Sequence, residues 1–178
     1  MKAIDDIYTF NVIGDAIMMK SCKIKTYLAN LAVWNVKLHN IHWNVVGPYF
    51  VSVHEYTEKL YDEVFEAYDA VAELLKMRGK TPLSTMKAYL DRATLEEVEP
   101  RAFDCCEAVA MVEADMQKML DLAVEIRNEA AEADDYAVQG MFEGYIAGFT
   151  KELWFLRAMQ SKTVECGCGG EGCCCQTK

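Results

Sequence analysis

The sequence predicts an all-α protein, a four-helix bundle with a short helix in the long second-to-third connection. Three observations carry this. Only 3 Pro and 10 Gly interrupt 178 residues, which favours long helices over many short strands. Four long segments repeat apolar residues at three-and-four spacing. Nowhere does an alternating strand pattern compete. The length fits one domain, and an apolar fraction of 52% with a charged fraction of 26% is enough for a packed core.

The first helix is expected over about Ser21–Val46, with Leu28, Leu31, Asn35, Leu38 and His42 on one row. Gly47-Pro48 ends it, since the residue before Pro avoids the α region. The second helix starts near Ser52, where Ser52 and Glu55 have capping-box spacing. It ends at Arg78-Gly79, a basic last turn with Gly at the C′ position. One face reads Tyr56, Leu60, Val64, Ala67, Val71 and Leu74; the other reads Glu55, Glu58, Asp62, Glu66, Asp69 and Glu73. This helix is strongly two-sided. Pro82–Leu90 reads as the short connecting helix, Thr94 and Glu97 as the cap of another turn, and Pro100 as the opening of the third long helix. That helix carries Cys105, Val109, Val112, Met116, Met119, Ala123 and Ile126. Glu132–Asp135 is the next break. The fourth helix carries Val138, Phe142, Tyr145, Phe149, Leu153 and Leu156. The bundle thus occupies residues 1–162. Residues 163–178 are Gly- and Cys-rich, without helical period, and form a separate tail.

The net charge of −10 at pH 7 lacks the electrostatic footprint of a nucleic-acid binder and attracts cations instead. No apolar stretch is long enough to span a bilayer. Asp5, Asp6 and Asp15 interrupt the start, which does not read as a signal peptide; the expected location is the cytoplasm. There the 8 Cys read mostly as thiols.

All 3 His, namely His39, His42 and His54, fall within sixteen positions around the first interhelical turn. Asp69 and Glu73, four apart, point the same way from one helix. Imidazole nitrogen with carboxylate oxygen suits divalent iron, manganese or zinc. The Glu-x-x-His pair of bundle di-iron sites is excluded by order, because every His precedes the first Glu, Glu55. Asp69 lies fifteen residues past His54, roughly 22 Å along a helix, and Glu73 roughly 28 Å. One hairpin cannot bring these side chains to one ion. A second copy packed antiparallel across a twofold axis can, and the twofold makes two such sites. If these residues share a metal, the protein is at least a dimer. The plainer reading stays open: a solvated acidic face, histidines at helix ends, Met116 and Met119 in the core, and Trp34, Trp43 and Trp154 as packing residues.

The segment Lys37-Leu-His-Asn-Ile-His-Trp-Asn-Val-Val-Gly47, with Phe50, His54-Glu55, Asp69-x-x-x-Glu73, Arg78-Gly79 and Pro82-Leu-x-Thr-Met-Lys-x-Tyr89-Leu, resembles the Dps family of mini-ferritins. The similarity is strong over Tyr27–Glu97 and weaker through the last two helices. The resemblance implies a ferritin-like bundle assembled into a hollow dodecamer that oxidises Fe(II), typically with hydrogen peroxide, and stores ferric mineral against oxidative stress. It implies a ferroxidase centre at the twofold interface. His42 and His54 come from one subunit, Asp69 and Glu73 from its partner, Glu58 stands where many members have Asp, and Trp43 is a Trp beside the centre that takes up oxidising equivalents. Glu55, Asp62 and Glu66 are candidates for mineral nucleation, and Glu132, Asp134 and Asp135 for an acidic threefold pore. Gln139 replaces a further acidic position sometimes found there.

Two features depart from the family. The start is not Lys-rich, although Lys20, Lys23 and Lys25 form a small cluster, so weak or no direct DNA binding is expected. The tail, Cys166-Gly-Cys168-Gly-Gly-Glu-Gly-Cys-Cys-Cys175, offers thiols for Cu(I), Zn(II) or an iron–sulfur species, or for disulfides between subunits. Competing functions are a DNA-compacting nucleoid protein without ferroxidase turnover and a helical oligomer that binds zinc at the same site.

Overall fold

A computed structural model describes residues 3–161, giving the helical course alone for 3–22 and side chains from 23 onward. The order is α1 (Ala3–Asn44), β1 (Val45–Val46), α2 (Phe50–Met77), α3 (Met86–Arg92), β2 (Phe103–Asp104), α4 (Cys105–Glu132) and α5 (Tyr136–Gln160). Four long helices and a short one in the second-to-third connection are therefore as the sequence predicts. The tail expected over 163–178 lies outside the described residues.

The core runs along the facing rows of the bundle. Leu28, Leu31 and Leu38 of α1 meet Leu60, Val64 and Val71 of α2, and all are buried. On α4 every expected row residue is buried, Met116 and Met119 completely. On α5 the ends of the row, Val138, Phe142, Leu153 and Leu156, are buried. Tyr27 and Trp34 of α1 reach across to α5, with ring centroids 5.0 Å from Phe142 and 5.9 Å from Phe149. Trp34 is thus a packing residue, whereas Trp43 and Trp154 are 70% and 63% exposed and do not pack inside this subunit.

Helix ends differ from the sequence expectation in instructive ways. The first helix begins at Ala3 rather than Ser21 and stops at Asn44 rather than Val46. Val45 and Val46 instead pair in parallel with Phe103 and Asp104, so two short strands exist where none was expected. Gly47 then turns the chain at φ +123, a conformation that favours glycine, and a Cβ there would sit a tight 3.3 Å from the Cys105 sulfur. The Ser52–Glu55 capping box is not used. The Phe50 N–H donates to the Gly47 carbonyl and Val53 N–H to that of Tyr49, both at 3.1 Å, and this turn launches α2 two residues early, with no side-chain cap. At its other end the expected Gly79 stop is present at φ +68. Gly79 and Lys80 N–H bond the carbonyls of Lys76 and Leu75 at 2.9 Å, the paired closure of a Schellman end.

The connection is also shifted. The short helix is Met86–Arg92, capped by the Thr85 hydroxyl on the Ala88 N–H, rather than Pro82–Leu90. Thr94 and Glu97 cap no turn. The buried Asn30 side-chain amide oxygen Oδ1 accepts from the Thr94 and Leu95 N–H groups at 2.7 and 3.2 Å, which holds this stretch extended against α1. The third long helix starts at Cys105, not Pro100, because β2 comes first and the Asp104 carboxylate caps the Cys106 N–H at 2.8 Å.

The α4–α5 turn repeats the Schellman pattern with Asp134 at φ 52, an expensive conformation for a residue with a Cβ. Asp135 caps Val138 and accepts a fork of bonds from Arg78, tying α2 to this corner. Between α1 and α4, Lys37 and the buried Asp115 pair at 2.7 Å. Between α2 and α5, the buried Glu152 accepts from Tyr56 and Lys59, both at 3.0 Å. Burial, with the Glu152 charge second, drives the Tyr56 phenol far above its usual range.

Candidate metal centre

His42 lies in the last turn of α1 and His54 in the second turn of α2. The short Gly47 turn folds one over the other, and the rings stack with centroids 3.6 Å apart. Each ring bonds the backbone of the other. His42 Nδ1 lies 2.9 Å from the His54 carbonyl, and His54 Nδ1 lies 3.0 Å from the His42 carbonyl. A carbonyl only accepts, so each Nδ1 carries the proton and donates. In the neutral form of each ring, this tautomer leaves the lone pair on Nε2. Glu58, one helical turn beyond His54, completes a group of three whose ligand atoms lie within 4.8 Å of one another. His42 is buried, His54 half-buried and Glu58 exposed, so the group opens to the surface on its carboxylate side.

Beneath the pair sits Thr57, fully buried, whose hydroxyl donates to the Val53 and His54 carbonyls at 2.9 Å. Tyr61 meets His42 edge-on with ring centroids at 5.3 Å. Desolvation, then the charges of Glu58 and Asp62, raise its phenol pKa. His39 is not part of the group. Its Nδ1 bonds the Asn35 carbonyl at 2.8 Å and its ring stacks on Tyr61 at 3.8 Å. Trp43 contacts His39 at 5.4 Å, so it stands one ring further out than its sequence position beside His42 suggests.

Asp69 and Glu73 are exposed on α2, and the helix is continuous from Phe50 to Met77. They therefore stand roughly 22 and 28 Å from His54 along its axis and do not join the group within one chain. Glu55, Asp62 and Glu66 are likewise exposed. At the α4–α5 corner Glu132 and Asp134 are exposed, while Asp135 is engaged by Arg78 and by its cap. Lys23 of the expected basic cluster is held by Glu125 and Glu129, each at 2.7 Å, and those bonds raise its pKa.

Around the opening lie Trp43, Val46, Tyr49, Phe50 and Val51, all exposed. Phe50 stacks on His54 at 5.0 Å. Exposed large apolar side chains gathered about the interhelical turn are the kind of surface expected of a protein–protein contact. The sequence pattern does not single out Thr57 or Tyr61 as parts of the site, and Phe50 enters only among the residues that carry the family resemblance. Thr57 carries a signal nonetheless, since a Thr inside a helix three residues after His54 is placed to bond back to the preceding turn. Among the described residues no helix is long and apolar enough to cross a membrane.

The ferritin-like domain family matches residues 23–165. A DNA protection during starvation protein from Brevibacillus brevis is 38% identical over 134 residues, spanning 74% of this chain and 87% of its own. Antigen TpF1 from Treponema pallidum has a solved structure similar to this one, with a TM-score of 0.81 at 29% identity over 83% of this chain and 95% of that one. A Dps protein from Bacillus brevis gives a TM-score of 0.79 at 33% identity, over 83% and 98%.

Proposed function

Since the chain belongs to the Dps family of ferritin-like proteins, we propose that it sequesters iron by oxidising Fe(II) with hydrogen peroxide at sites shared between subunits. The relatives' name, DNA protection during starvation, fits this chemistry: iron and peroxide that react at a controlled site do not release hydroxyl radical near DNA. Ferric mineral is then held inside a hollow dodecamer.

One observation carries this reading. The reciprocal bonds of His42 and His54 fix both rings with Nε2 free beside Glu58. Two imidazoles and one carboxylate form a borderline donor set that suits Fe(II). It is an incomplete one, and the missing oxygens stand exposed on the same helix, Asp69 and Glu73, too far away to fold back. A second copy packed antiparallel through the apolar rim brings Asp69 and Glu73 of the partner subunit to His42 and His54, and the twofold does this twice.

In this reading His42 and His54 bind Fe(II) through neutral Nε2. Glu58 and the two carboxylates of the partner offset its charge and hold a second Fe(II) close by. Peroxide takes one electron from each ion and two protons and leaves as two waters. Fe(III), the harder ion, moves to oxygen-only sites, for which Glu55, Asp62 and Glu66 are the candidates on α2. Tyr61 packs edge-on against His42 along one side of the group, with His39 stacked behind it.

Peroxide-driven Fe(II) oxidation followed by absorbance tests the proposal. Wild type is expected to turn over, and His42→Ala and Asp69→Ala each to lose it; wild-type rates in both would remove the assignment. The same donors accept Zn(II), so a second reading is a zinc-binding oligomer. It predicts Zn(II) uptake with no peroxide-dependent Fe(II) oxidation. Direct DNA binding is expected to be weak at a net charge of −10 with Lys23 already paired. Tight gel-shift binding at physiological salt without divalent cations would contradict that.

A further inference from the structure

Helix α2 carries candidate donors at both ends and an exposed aromatic ring between them. Phe65 is 63% exposed, and the other large apolar side chains that α2 exposes, Phe50, Val51 and Met77, sit in its first and last turns. Phe65 follows His54 by eleven residues and Glu58 by seven, and precedes Asp69 by four. Each spacing is close to a whole number of helical turns, so the ring shares a row with the candidate donors on either side. Its base is braced. Phe65 stacks on Tyr68 with ring centroids 6.3 Å apart, and Tyr68 meets Tyr89 of α3 at 5.8 Å with the two hydroxyls bonded. α3 in turn exposes Met86 and Leu90.

The donor spacing says where this ring stands in a two-chain site. With His54 opposite Glu73 of the partner subunit and Glu58 opposite Asp69 of the partner subunit, both pairs have one midpoint, between Glu63 and Val64. The helix itself, Phe50–Met77, has the same midpoint, so two antiparallel copies overlap along their full length. The twofold axis passes there. His54 is then roughly 14 Å from the axis along the helix, and Phe65 roughly 2 Å. Val64 is buried in its own subunit and Glu63 pairs with Lys59 at 3.4 Å, which leaves Phe65 as the exposed apolar group of α2 nearest the axis. The rest of this surface is acidic, with Glu58, Asp62, Glu66, Asp69 and Glu73, and two such faces repel until cations lie between them. An aromatic ring at the centre supplies a contact that needs no metal. It also fixes register, since a slip of one turn moves the opposing carboxylates by roughly 5 Å, out of reach of the ion. We infer that Phe65 packs on α2 of a second copy beside the twofold axis and sets the register that brings carboxylates of that copy to His42, His54 and Glu58. The inference rests on the shared-site reading above. Phe65 touches no metal; it is a positioning residue.

The test places the photoreactive p-benzoylphenylalanine at position 65 of the full chain and assembles the protein from equal amounts of isotopically light and heavy protomers. Irradiation and peptide mass mapping are expected to give cross-links between light and heavy chains, within one turn of Asp62 on α2. Cross-links confined to single chains, or made to another element of the second chain, overturn the inference. Two substitutions read the register. Phe65→Glu removes no donor, yet should lower anaerobic Fe(II) affinity by about tenfold or more, because like charges then meet at the axis. Phe65→Leu keeps an apolar contact and should retain the affinity, with helix content by circular dichroism the same in both. Unchanged affinity in Phe65→Glu, where Asp69→Ala lowers it, overturns the register role. The cross-link needs no turnover, so the two readings fail separately. Cross-links at Asp62 in a protein that fails the peroxide assay uphold the packing and remove the shared ferroxidase site; turnover with cross-links elsewhere does the reverse.

Discussion

The two ends of helix α2 are prepared to different degrees. Near its start, His54 and Glu58 are organised within one chain. His42 is brought to them by the Gly47 turn, two reciprocal bonds fix both rings, and Thr57 is buried below. Farther along, Asp69 and Glu73 are exposed and make no ion pair among the described residues. The difference teaches a division of labour. Nitrogens need a defined tautomer and ring angle, which a buried hairpin supplies. Carboxylates need only reach and charge, so an exposed surface suffices for them in the proposed two-chain site.

The largest expected effects separate the two halves by stability. Asp69→Ala should lower Fe(II) affinity and peroxide-driven oxidation by about 10- to 100-fold or more, yet leave metal-free stability within about 0.5 kcal/mol, as exposed positions do. His42→Ala should abolish oxidation as well, and also cost about 2–3 kcal/mol, because a buried ring and its bond to the His54 carbonyl are lost. Thermal melts of the metal-free proteins at equal protomer concentration check this. Equal destabilisation by both variants would break the comparison.

A smaller effect is expected at Thr57→Val. The substitution keeps the shape but removes the hydroxyl that holds the His54 carbonyl, so Fe(II) affinity should fall by about tenfold with a stability cost of about 1 kcal/mol. Isothermal titration under anaerobic conditions measures the first. Unchanged affinity would mean that the reciprocal histidine bonds suffice without support.

Smallest is Asp134→Gly at the α4–α5 turn, which makes no contact with His42, His54 or Glu58. Relief of the left-handed conformation at φ 52 should stabilise the fold by up to about 1 kcal/mol. Because Asp134 is also a pore candidate, the rate of iron entry can fall, but equilibrium Fe(II) affinity at His42, His54 and Glu58 should be unchanged, which separates stability from the site. A change in Fe(II) affinity here would show that the site responds to stability in general.

Much of the fold is legible in the residues themselves. The α4 row is buried as its spacing says, because 3.6-residue periodicity is imposed by the core itself. The Gly79 stop is legible because positive φ calls for glycine. The mismatches cluster at boundaries set by tertiary contacts. Pro100 looks like a helix opening, but Phe103–Asp104 first pairs with Val45–Val46, and two-residue strands have no period to read. Ser52–Glu55 has the spacing of a cap, yet the Gly47 turn starts the helix earlier. For the site, residue types and chain order supply the ligand candidates, of which the structure brings His42, His54 and Glu58 together, and the proposal that a shared site takes two chains. The stacked rings, the fixed tautomers and the place of Trp43 one ring outward depend on how the turn folds, which no spacing rule encodes.

Subunit mixing tests shared ownership of the metal site most directly. His42→Ala and Asp69→Ala chains, each inactive alone, are unfolded together in equal amounts, refolded and assayed for peroxide-driven Fe(II) oxidation. A twofold site that takes nitrogens from one chain and oxygens from the other is intact once in every mixed pair, so the mixture should recover about a quarter of wild-type activity. Assembly to the wild-type size with no recovery would contradict a site built across two chains.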